Sequence, residues 1–216
     1  GGNDLELVGP TTGKPTGDCP LAGGDGCRSI DSCTGRLVSK LPYDANLQGN
    51  APRTIMTWVK TLDPDWNGDN HRPIFGFGND DENCKCPARS FSLYTGKTSN
   101  GFKNIGCGCD GPSNGEATNL KDGVWYHVAL AYDGTSAMLY KDGKLFSKQA
   151  WTVDTHPPSM TQHFNKYVFG ADSWWKTLQH KMCSGVFDDA YVFNYALSGR
   201  EIEAFLPLAK VRFTRV

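Results

Sequence analysis

The sequence lacks a long apolar run and an excess of basic residues, and each absence excludes a class of protein. No stretch approaches the ~20 consecutive apolar residues that a membrane-spanning helix needs, so we expect no membrane insertion. The formal net charge is −1, whereas binding to a phosphate backbone needs a concentrated basic surface. Nucleic acid is therefore not an expected partner.

Catalytic motifs are also lacking. Glycan hydrolases use paired carboxylates, but glutamate is scarce here, with only Glu6, Glu82, Glu116, Glu201 and Glu203. None of them belongs to an alternating carboxylate pattern on a central strand. The serine elbow G-x-S-x-G, the metalloprotease motif H-E-x-x-H and a glycine-rich phosphate loop are absent as well. The sequence therefore predicts that the protein is not an enzyme.

Glycine and proline are abundant, with 25 and 12 residues, and both disfavour long helices. Segments rich in β-branched and aromatic residues predict short strands, at 36–41, 53–60, 73–78, 90–95, 124–132, 137–141, 144–146, 167–170 and 185–193. Two Asp-Gly pairs, at 133–134 and 142–143, supply the positive φ angles of tight turns, so 123–149 predicts a three-stranded meander. The fold class is all-β, with residues 1–18 as an N-terminal extension or linker and 19–216 as one domain.

Eight cysteines lie in loop-like sequence: Cys19, Cys27, Cys33, Cys84, Cys86, Cys107, Cys109 and Cys183. Their even number predicts disulfides, which implies an oxidising compartment and a secreted or cell-surface protein. The two C-x-C pairs leave zinc as an alternative, although zinc sites more often have two to four intervening residues. By parity, the C-x-C cysteines pair among themselves, and Cys183 pairs with one of the first three. This connectivity is a hypothesis.

Four segments together resemble a known family. They are TWVK at 57–60, DGVWYHVA at 122–129, LYKDGK at 139–144 and FDDAYVFNYALSGREI at 187–202. In this order they resemble the laminin-G-like domains of the concanavalin A-like lectin/glucanase superfamily. The resemblance implies a jelly-roll sandwich of two antiparallel sheets with one short helix near the C-terminus. It also implies extracellular binding of glycans or proteins, often with a structural calcium ion. Ser198 and Glu201 form a capping box that predicts where the helix begins.

Two acidic segments are candidate calcium sites. The first has oxygen-bearing side chains at alternate positions: Asp63, Asp65, Asn67 and Asp69. Such spacing around a glycine supplies hard ligands for Ca²⁺, although Ile74 stands where a full calcium loop has glutamate. The alternative is an ordinary polar turn. The second segment is Asp188 and Asp189, to which the resemblance assigns the structural ion. The alternative for this pair is a solvated outer face.

The candidate ligand-binding residues belong to two predicted loops: Trp66, Asn67, His71, Trp174 and Trp175. Aromatic side chains exposed beside polar groups are typical of recognition surfaces; the alternative is that the indoles cover the edge of the sandwich. Trp58, Trp125 and Tyr132 follow strand patterns and are expected in the core, and His127 is expected to be structural. The predicted function is carbohydrate recognition, with calcium as a candidate cofactor. A protein–protein adhesion or structural module is the alternative.

Overall fold

The computed structural model describes residues 5–8, 19, 27–31, 35–62, 72–78, 90–95, 102–104, 120–155, 166–171 and 182–208. These residues form the following strands: β1 Leu5–Val8, β2 Arg28–Ile30, β3 Arg36–Pro42, β4 Arg53–Thr61, β5 Arg72–Gly78, β6 Ser90–Thr95, β7 Phe102–Asn104, β8 Trp125–Tyr132, β9 Ser136–Lys141, β10 Lys144–Ala150, β11 Lys166–Phe169 and β12 Gly185–Phe193. A 3-10 turn, Ala45–Leu47, follows β3, and one α-helix, α1 Gly199–Leu208, follows β12.

The strands form two six-stranded sheets. Sheet 1 has the order β1-β3-β11-β5-β6-β7, and sheet 2 has the order β10-β9-β8-β4-β12-β2. Neighbouring strands run antiparallel, including β4 between β8 and β12. The predicted jelly-roll sandwich of two antiparallel sheets with one short helix is confirmed.

The meander of β8, β9 and β10 follows from its turn residues. Asp142 and Gly143 have φ angles of 50° and 76°, which a two-residue hairpin turn requires. Between β8 and β9, the carboxylate of Asp133 accepts hydrogen bonds from the amides of Thr135 and Ser136, at 2.9 and 2.7 Å. The prediction of a meander in 123–149 is confirmed.

The main core lies between the two sheets. Alternate residues of sheet 2, such as Ile55, Val59 and Val128, point into it, because successive side chains of a strand face opposite sides. Aromatic rings from the two sheets meet there: the centroid of Phe169 on β11 lies 5.6 Å from that of Phe187 on β12. The apolar surface buried between the sheets stabilises the sandwich at roughly 25 cal/mol per Å².

Helix α1 covers part of the outer face of sheet 2. Met56, Ala129 and Ala131 point away from the main core and form a second buried cluster with Leu197 and Ile202. The sheet thus buries apolar residues on both faces where the helix lies. Within the described residues, no helix has the length and apolar character needed to cross a membrane.

The predicted capping box begins α1. The amide and hydroxyl of Ser198 both donate to Oε2 of Glu201 at 2.7 Å, and the amide of Glu201 donates back to Oγ of Ser198 at 3.3 Å. These bonds satisfy donors that the first helical turn leaves without a partner.

Arg53 ties the start of β4 to two loops. Its fully buried guanidinium donates hydrogen bonds to the carbonyl oxygens of Leu47 and Gly49 and to the hydroxyl of Thr155. The same group lies 5.5 Å from the ring centroid of Phe91. Burial lowers the pKa of Arg53 to about 10, so the side chain stays charged at neutral pH and is held chiefly by uncharged oxygens.

Three short strands were not predicted. β1 lies inside the expected N-terminal extension and pairs with β3, with Leu5 opposite Ser39. β2 lies in the cysteine-rich segment and pairs with β12, with Ile30 opposite Gly185. β7 has only three residues. Strands this short carry too little alternation to be recognised without their partners. The domain boundary after residue 18 stays a prediction.

Candidate functional site

Two connections singled out by the sequence leave the sandwich side by side. The connection 63–71 joins β4 to β5, and the connection 172–181 lies between β11 and β12. The amide of Leu62 donates a hydrogen bond to the carbonyl oxygen of Ser184 at 3.1 Å. The roots of the two connections are therefore adjacent, although they are about 120 residues apart in the chain. We call the described residues at this end of the sandwich the loop rim: Leu62, Arg72, Asp122, Val124, Trp125 and Ser184.

An ion pair braces the loop rim. Nη1 of Arg72, at the start of β5, lies 2.8 Å from Oδ1 of Asp122, just before β8. The Arg72 side chain is buried, whereas that of Asp122 is partly exposed. The amide of Gly123 also donates to the carbonyl oxygen of Thr61 at 2.7 Å. These contacts hold the end of β4, the start of β5 and the start of β8 together. No sequence motif indicated this pair.

The loop rim exposes apolar side chains beside charged ones. Leu62 and Val124 are 39% and 42% exposed. Trp125 is half-buried, and Nζ of Lys60 lies 5.1 Å from its ring centroid, a distance at which an ammonium is attracted to the face of an indole. A surface of this mixed character can hold a ligand that has both apolar and polar faces.

The predicted ligand residues of the two connections lie outside the described residues: Trp66, Asn67, His71, Trp174 and Trp175. So do the predicted calcium ligands of the first connection: Asp63, Asp65, Asn67 and Asp69. The structure shows where the two connections begin and end, and these assignments stay predictions.

Asp188 and Asp189 lie at a bulge in β12. Asp188 is opposite Trp58 on β4, and the register shifts between Asp188 and Tyr191. Asp189 has a φ of 39°, in the left-handed region that a non-glycine residue rarely adopts. Simple alternation along β12 would put Ala190 on the face of Asp188. The bulge adds a residue and brings Tyr191 into that register instead.

The two carboxylates make local hydrogen bonds. Oδ1 of Asp188 accepts from the amide of Asp189 at 3.1 Å, and the hydroxyl of Tyr191 donates to Oδ2 of Asp189 at 3.4 Å. Burial is the largest influence on Asp189 and raises the pKa of its carboxyl. A partly buried anion in this position gains from a hydrogen-bond donor or a cation.

The described residues do not complete a calcium site. No group of three or more His, Cys, Asp or Glu residues in the described ranges is placed to hold a metal ion. Calcium takes about six to eight oxygen ligands, and the bulge offers two neighbouring carboxylates. Further ligands would have to be backbone carbonyl oxygens, waters, or side chains from outside the described part of the chain.

The aromatic residues expected in the core divide between two environments. Tyr132 is buried in the main core, as predicted. Trp58 and Trp125 are only half-buried, on the outer face of sheet 2, so the prediction that they are core residues is wrong. Strand alternation shows which residues share a face but not how fully that face is covered.

His127 is buried next to Trp58 on the outer face of sheet 2. The two residues are paired between β8 and β4. The amide of His127 donates to Oδ1 of Asp142 at 3.0 Å. Burial lowers the pKa of His127 to about 4, so the imidazole is neutral at physiological pH and supports the sheet, in agreement with the structural role predicted for it.

Each of the three cysteines in the described ranges is in a disulfide. Cys19 and Cys27 are bonded to each other, with Cα atoms 5.5 Å apart, and Cys183 is disulfide-bonded as well. The predicted disulfides are confirmed for these residues. The others, Cys33, Cys84, Cys86, Cys107 and Cys109, lie outside the described residues, so the C-x-C pairing stays a prediction.

Comparisons with known proteins agree with this architecture. A laminin G family model, described as the concanavalin A-like lectin/glucanases superfamily, matches residues 38–203. None of the curated proteins matches the sequence.

Solved structures with the same fold include the ligand-binding domain of botulinum neurotoxin serotype D in complex with N-acetylneuraminic acid. It is 13% identical, with a TM-score of 0.57, over 95% of this chain and 46% of that one. The sialidase of Trypanosoma rangeli in complex with sialic acid is 14% identical, with a TM-score of 0.57, over 86% of this chain and 28% of that one. The chain thus spans less than half the length of either neighbour, and identities this low show the fold alone.

The prediction that the protein is not an enzyme is contradicted by these comparisons. Several of the structures that share the fold are sialidases, at 13 to 17% identity. The prediction relied on the absence of catalytic sequence motifs. Because the same fold also occurs in enzymes, that absence does not exclude an enzymatic activity for this chain. The likeness assigns no activity to the chain.

Proposed function

Because the chain belongs to the concanavalin A-like lectin/glucanases superfamily, we propose that it is a carbohydrate-recognition domain whose ligand binds at the loop rim. The observation that carries the proposal is the hydrogen bond between Leu62 and Ser184. It joins the roots of 63–71 and 172–181, the two connections whose tryptophans are the candidate sugar-stacking residues.

The described surface of the loop rim supports this ligand class. A pyranose ring has an apolar face of C–H groups and a rim of hydroxyls. The apolar face can contact the exposed Leu62 and Val124 and the half-buried indole of Trp125. The hydroxyls can donate hydrogen bonds to the carboxylate of Asp122. The Arg72–Asp122 ion pair keeps this surface in place before a ligand arrives, which lowers the entropic cost of binding.

Sialylated glycans are the first ligands to test. The neurotoxin domain and the trypanosomal sialidase were each solved with sialic acid bound. Their likeness to this chain concerns the fold, so the choice between sialylated and neutral glycans is made by experiment.

A glycan array with matched sialylated and neutral members tests the proposal. We expect binding to a defined subset, weakened about tenfold or more by Trp174→Ala or Trp66→Ala, because each change removes an aromatic stacking surface. Leu145→Ala is the matched control, since Leu145 is 55% exposed on β10. Absence of binding across the array would reject carbohydrate recognition and favour the protein-adhesion alternative. Products released from bound glycans are measured in the same samples, which reports any hydrolytic activity directly.

Calcium at the β12 bulge is a second part of the proposal. Adjacent carboxylates of Asp188 and Asp189 would supply hard oxygen ligands, and a cation would compensate their partial burial. We expect calcium to raise the unfolding midpoint relative to a chelator, and Asp188→Asn to remove that difference. Asp133→Asn is the control. If Asp65→Asn instead removes the difference in midpoint between calcium and chelator, the ion binds in the connection 63–71. An equal midpoint in calcium and chelator would exclude the ion.

We also propose an extracellular location. The Cys19–Cys27 disulfide and the bonded state of Cys183 support it, because such bonds persist in oxidising compartments. Expression with and without a secretion signal, followed by titration of free thiols, tests the location: the secreted protein should contain no reactive thiol and the cytosolic form should be reduced.

A further inference from the structure

We propose a second carbohydrate-binding surface, separate from the loop rim, on an aromatic ladder made of Tyr191, Phe193 and Tyr195 with Phe205 of α1 behind it. The proposal goes beyond the proposed function, since the aromatic rings that carry it are not part of the loop rim. It shares with that function the class of ligand and, through Asp189, a residue of the β12 bulge.

The rings of the aromatic ladder follow one another along the chain. Tyr191 and Phe193 are alternate residues of β12, with ring centroids 6.3 Å apart and planes inclined by 25°. The centroid of Tyr195 lies 5.6 Å from that of Phe193. Phe205 supports the first two rings from the helix, at 5.3 and 5.5 Å. The result is a row of rings on the outer face of sheet 2.

The outermost rings of the ladder are open to solvent and carry polar groups. Tyr191 and Tyr195 are 37% and 48% exposed. Each has a phenol hydroxyl, and that of Tyr191 donates to the carboxylate of Asp189 at 3.4 Å. A sugar ring can stack its C–H face on a phenol ring while its hydroxyls bond to the phenol oxygen or the carboxylate. The ladder therefore offers both kinds of contact that a saccharide needs.

The backbone beneath the ladder is held firmly. The hydroxyl of Thr54 donates to the carbonyl oxygen of Tyr195 at 2.9 Å, and the amide of Leu197 donates to that hydroxyl at 2.9 Å. At the other end, the bulge at Asp189 fixes the direction of the strand before Tyr191. Rigid tyrosines lose little conformational entropy on binding, so the ladder is suited to weak, stacking-based recognition.

The size of the exposed surface favours a saccharide over a protein. An aromatic side chain has about 150–250 Å² of surface, so the exposed fractions of Tyr191 and Tyr195 together leave roughly 200 Å² open. A stable protein interface needs about 800 Å² from each partner. The two exposed phenol rings can each stack on a sugar ring, and on their own they fall short of the area that a protein interface needs.

The ladder is well separated from the loop rim. Gly185 is paired with Thr61 of β4 and Tyr191 with Met56, and these five residues of β4 correspond to about 17 Å at the rise of an extended strand. Substitutions at one surface should therefore leave the other intact, and the two proposals can be tested in the same protein.

Calorimetric titration with oligosaccharides of one to six units tests the ladder. The probes are the cello-, chito- and laminari-series together with sialyllactose. We expect binding that strengthens from one unit to three and then levels off. Tyr195→Ala should weaken it about tenfold, whereas Tyr195→Phe should keep most of the affinity. Tyr195→Leu should behave like alanine, because it keeps apolar bulk but removes the ring. Leu145→Ala is the control for an exposed apolar residue.

The outcomes separate the two surfaces. If Tyr195→Ala weakens binding and Trp174→Ala does not, the ladder holds the titrated sugar. If Trp174→Ala alone weakens binding, the ladder is rejected while recognition at the loop rim stands. Full affinity in Tyr195→Leu, or no binding of any of these oligosaccharides by the unchanged protein, would each overturn the ladder. Tyr191→Ala repeats the test, and an unchanged unfolding midpoint of Tyr195→Ala shows that the variant is folded.

Discussion

The imidazole of His127 stands edge-on to the indole of Trp58, with ring centroids 5.4 Å apart. Within the described part of the chain, Nδ1 of His127 is buried and has no hydrogen-bond partner. The ring is therefore neutral and apolar in character, and protonation would place a charge where nothing described compensates it.

We predict that His127 makes the fold sensitive to acid. Burial lowers its pKa from 6.5 to about 4, so below pH 6.5 the unfolded chain takes up a proton that the folded chain does not. Stability should fall as the pH drops from 6.5 to 4, by about 3 kcal/mol in total, because each pH unit is worth about 1.4 kcal/mol over this window. Urea unfolding at pH 7, 5.5 and 4.5 measures the effect. His127→Phe should flatten the dependence, and a parallel pH profile in that variant would contradict the assignment.

Arg53 is predicted to be the most damaging single arginine to replace among those described. Arg53→Met would remove the hydrogen bonds that join the start of β4 to Leu47, Gly49 and Thr155. We expect a loss of about 3–5 kcal/mol in the free energy of unfolding. The exposed Arg200 is the matched control, and Arg200→Met should change stability by no more than about 0.5 kcal/mol. Equal effects of the two substitutions would refute the role of Arg53.

Loss of the capping box should lower stability by a smaller amount, and a second substitution at the same position should restore it. Ser198→Ala removes the oxygen that accepts the amide of Glu201, and loss of an N-cap side chain costs about 1 kcal/mol. Ser198→Asn should restore most of the stability, because asparagine also accepts from the first turn. Thermal unfolding of the three proteins measures this, and a midpoint for Ser198→Asn as low as that of the alanine variant would argue against capping.

The structure narrows the disulfide partner of Cys183, which the sequence left open among three cysteines. Cys19 and Cys27 are bonded to each other, so Cys33 is the remaining N-terminal partner for Cys183. The pairing of Ile30 with Gly185 places the end of β2 beside the start of β12, which favours this link. A peptide map of the non-reduced protein should contain a 33–183 cross-link. A cross-link from Cys183 to Cys84, Cys86, Cys107 or Cys109 would contradict it.

The strands of sheet 2 other than β2 were predictable because their signals are local. The Asp-Gly pairs set the turns of 123–149, and enrichment in β-branched and aromatic residues indicated 53–60 and 185–193. The bulge at Asp189 was not predictable, because an additional residue in one strand is defined only by its register with β4. The half-burial of Trp58 likewise depends on which elements cover the outer face.

Hydrophobic period, turn residues and short motifs act over a few neighbouring residues, so the all-β class, most of the strand positions, the capping box and the family follow from the sequence. Which distant segments meet depends on the tertiary fold. It placed the roots of 63–71 and 172–181 within one hydrogen bond of each other, paired Arg72 with Asp122, and brought Phe205 behind Tyr191. These contacts depend on strand order and on the docking of α1, which are set by the burial of whole faces rather than by any local pattern.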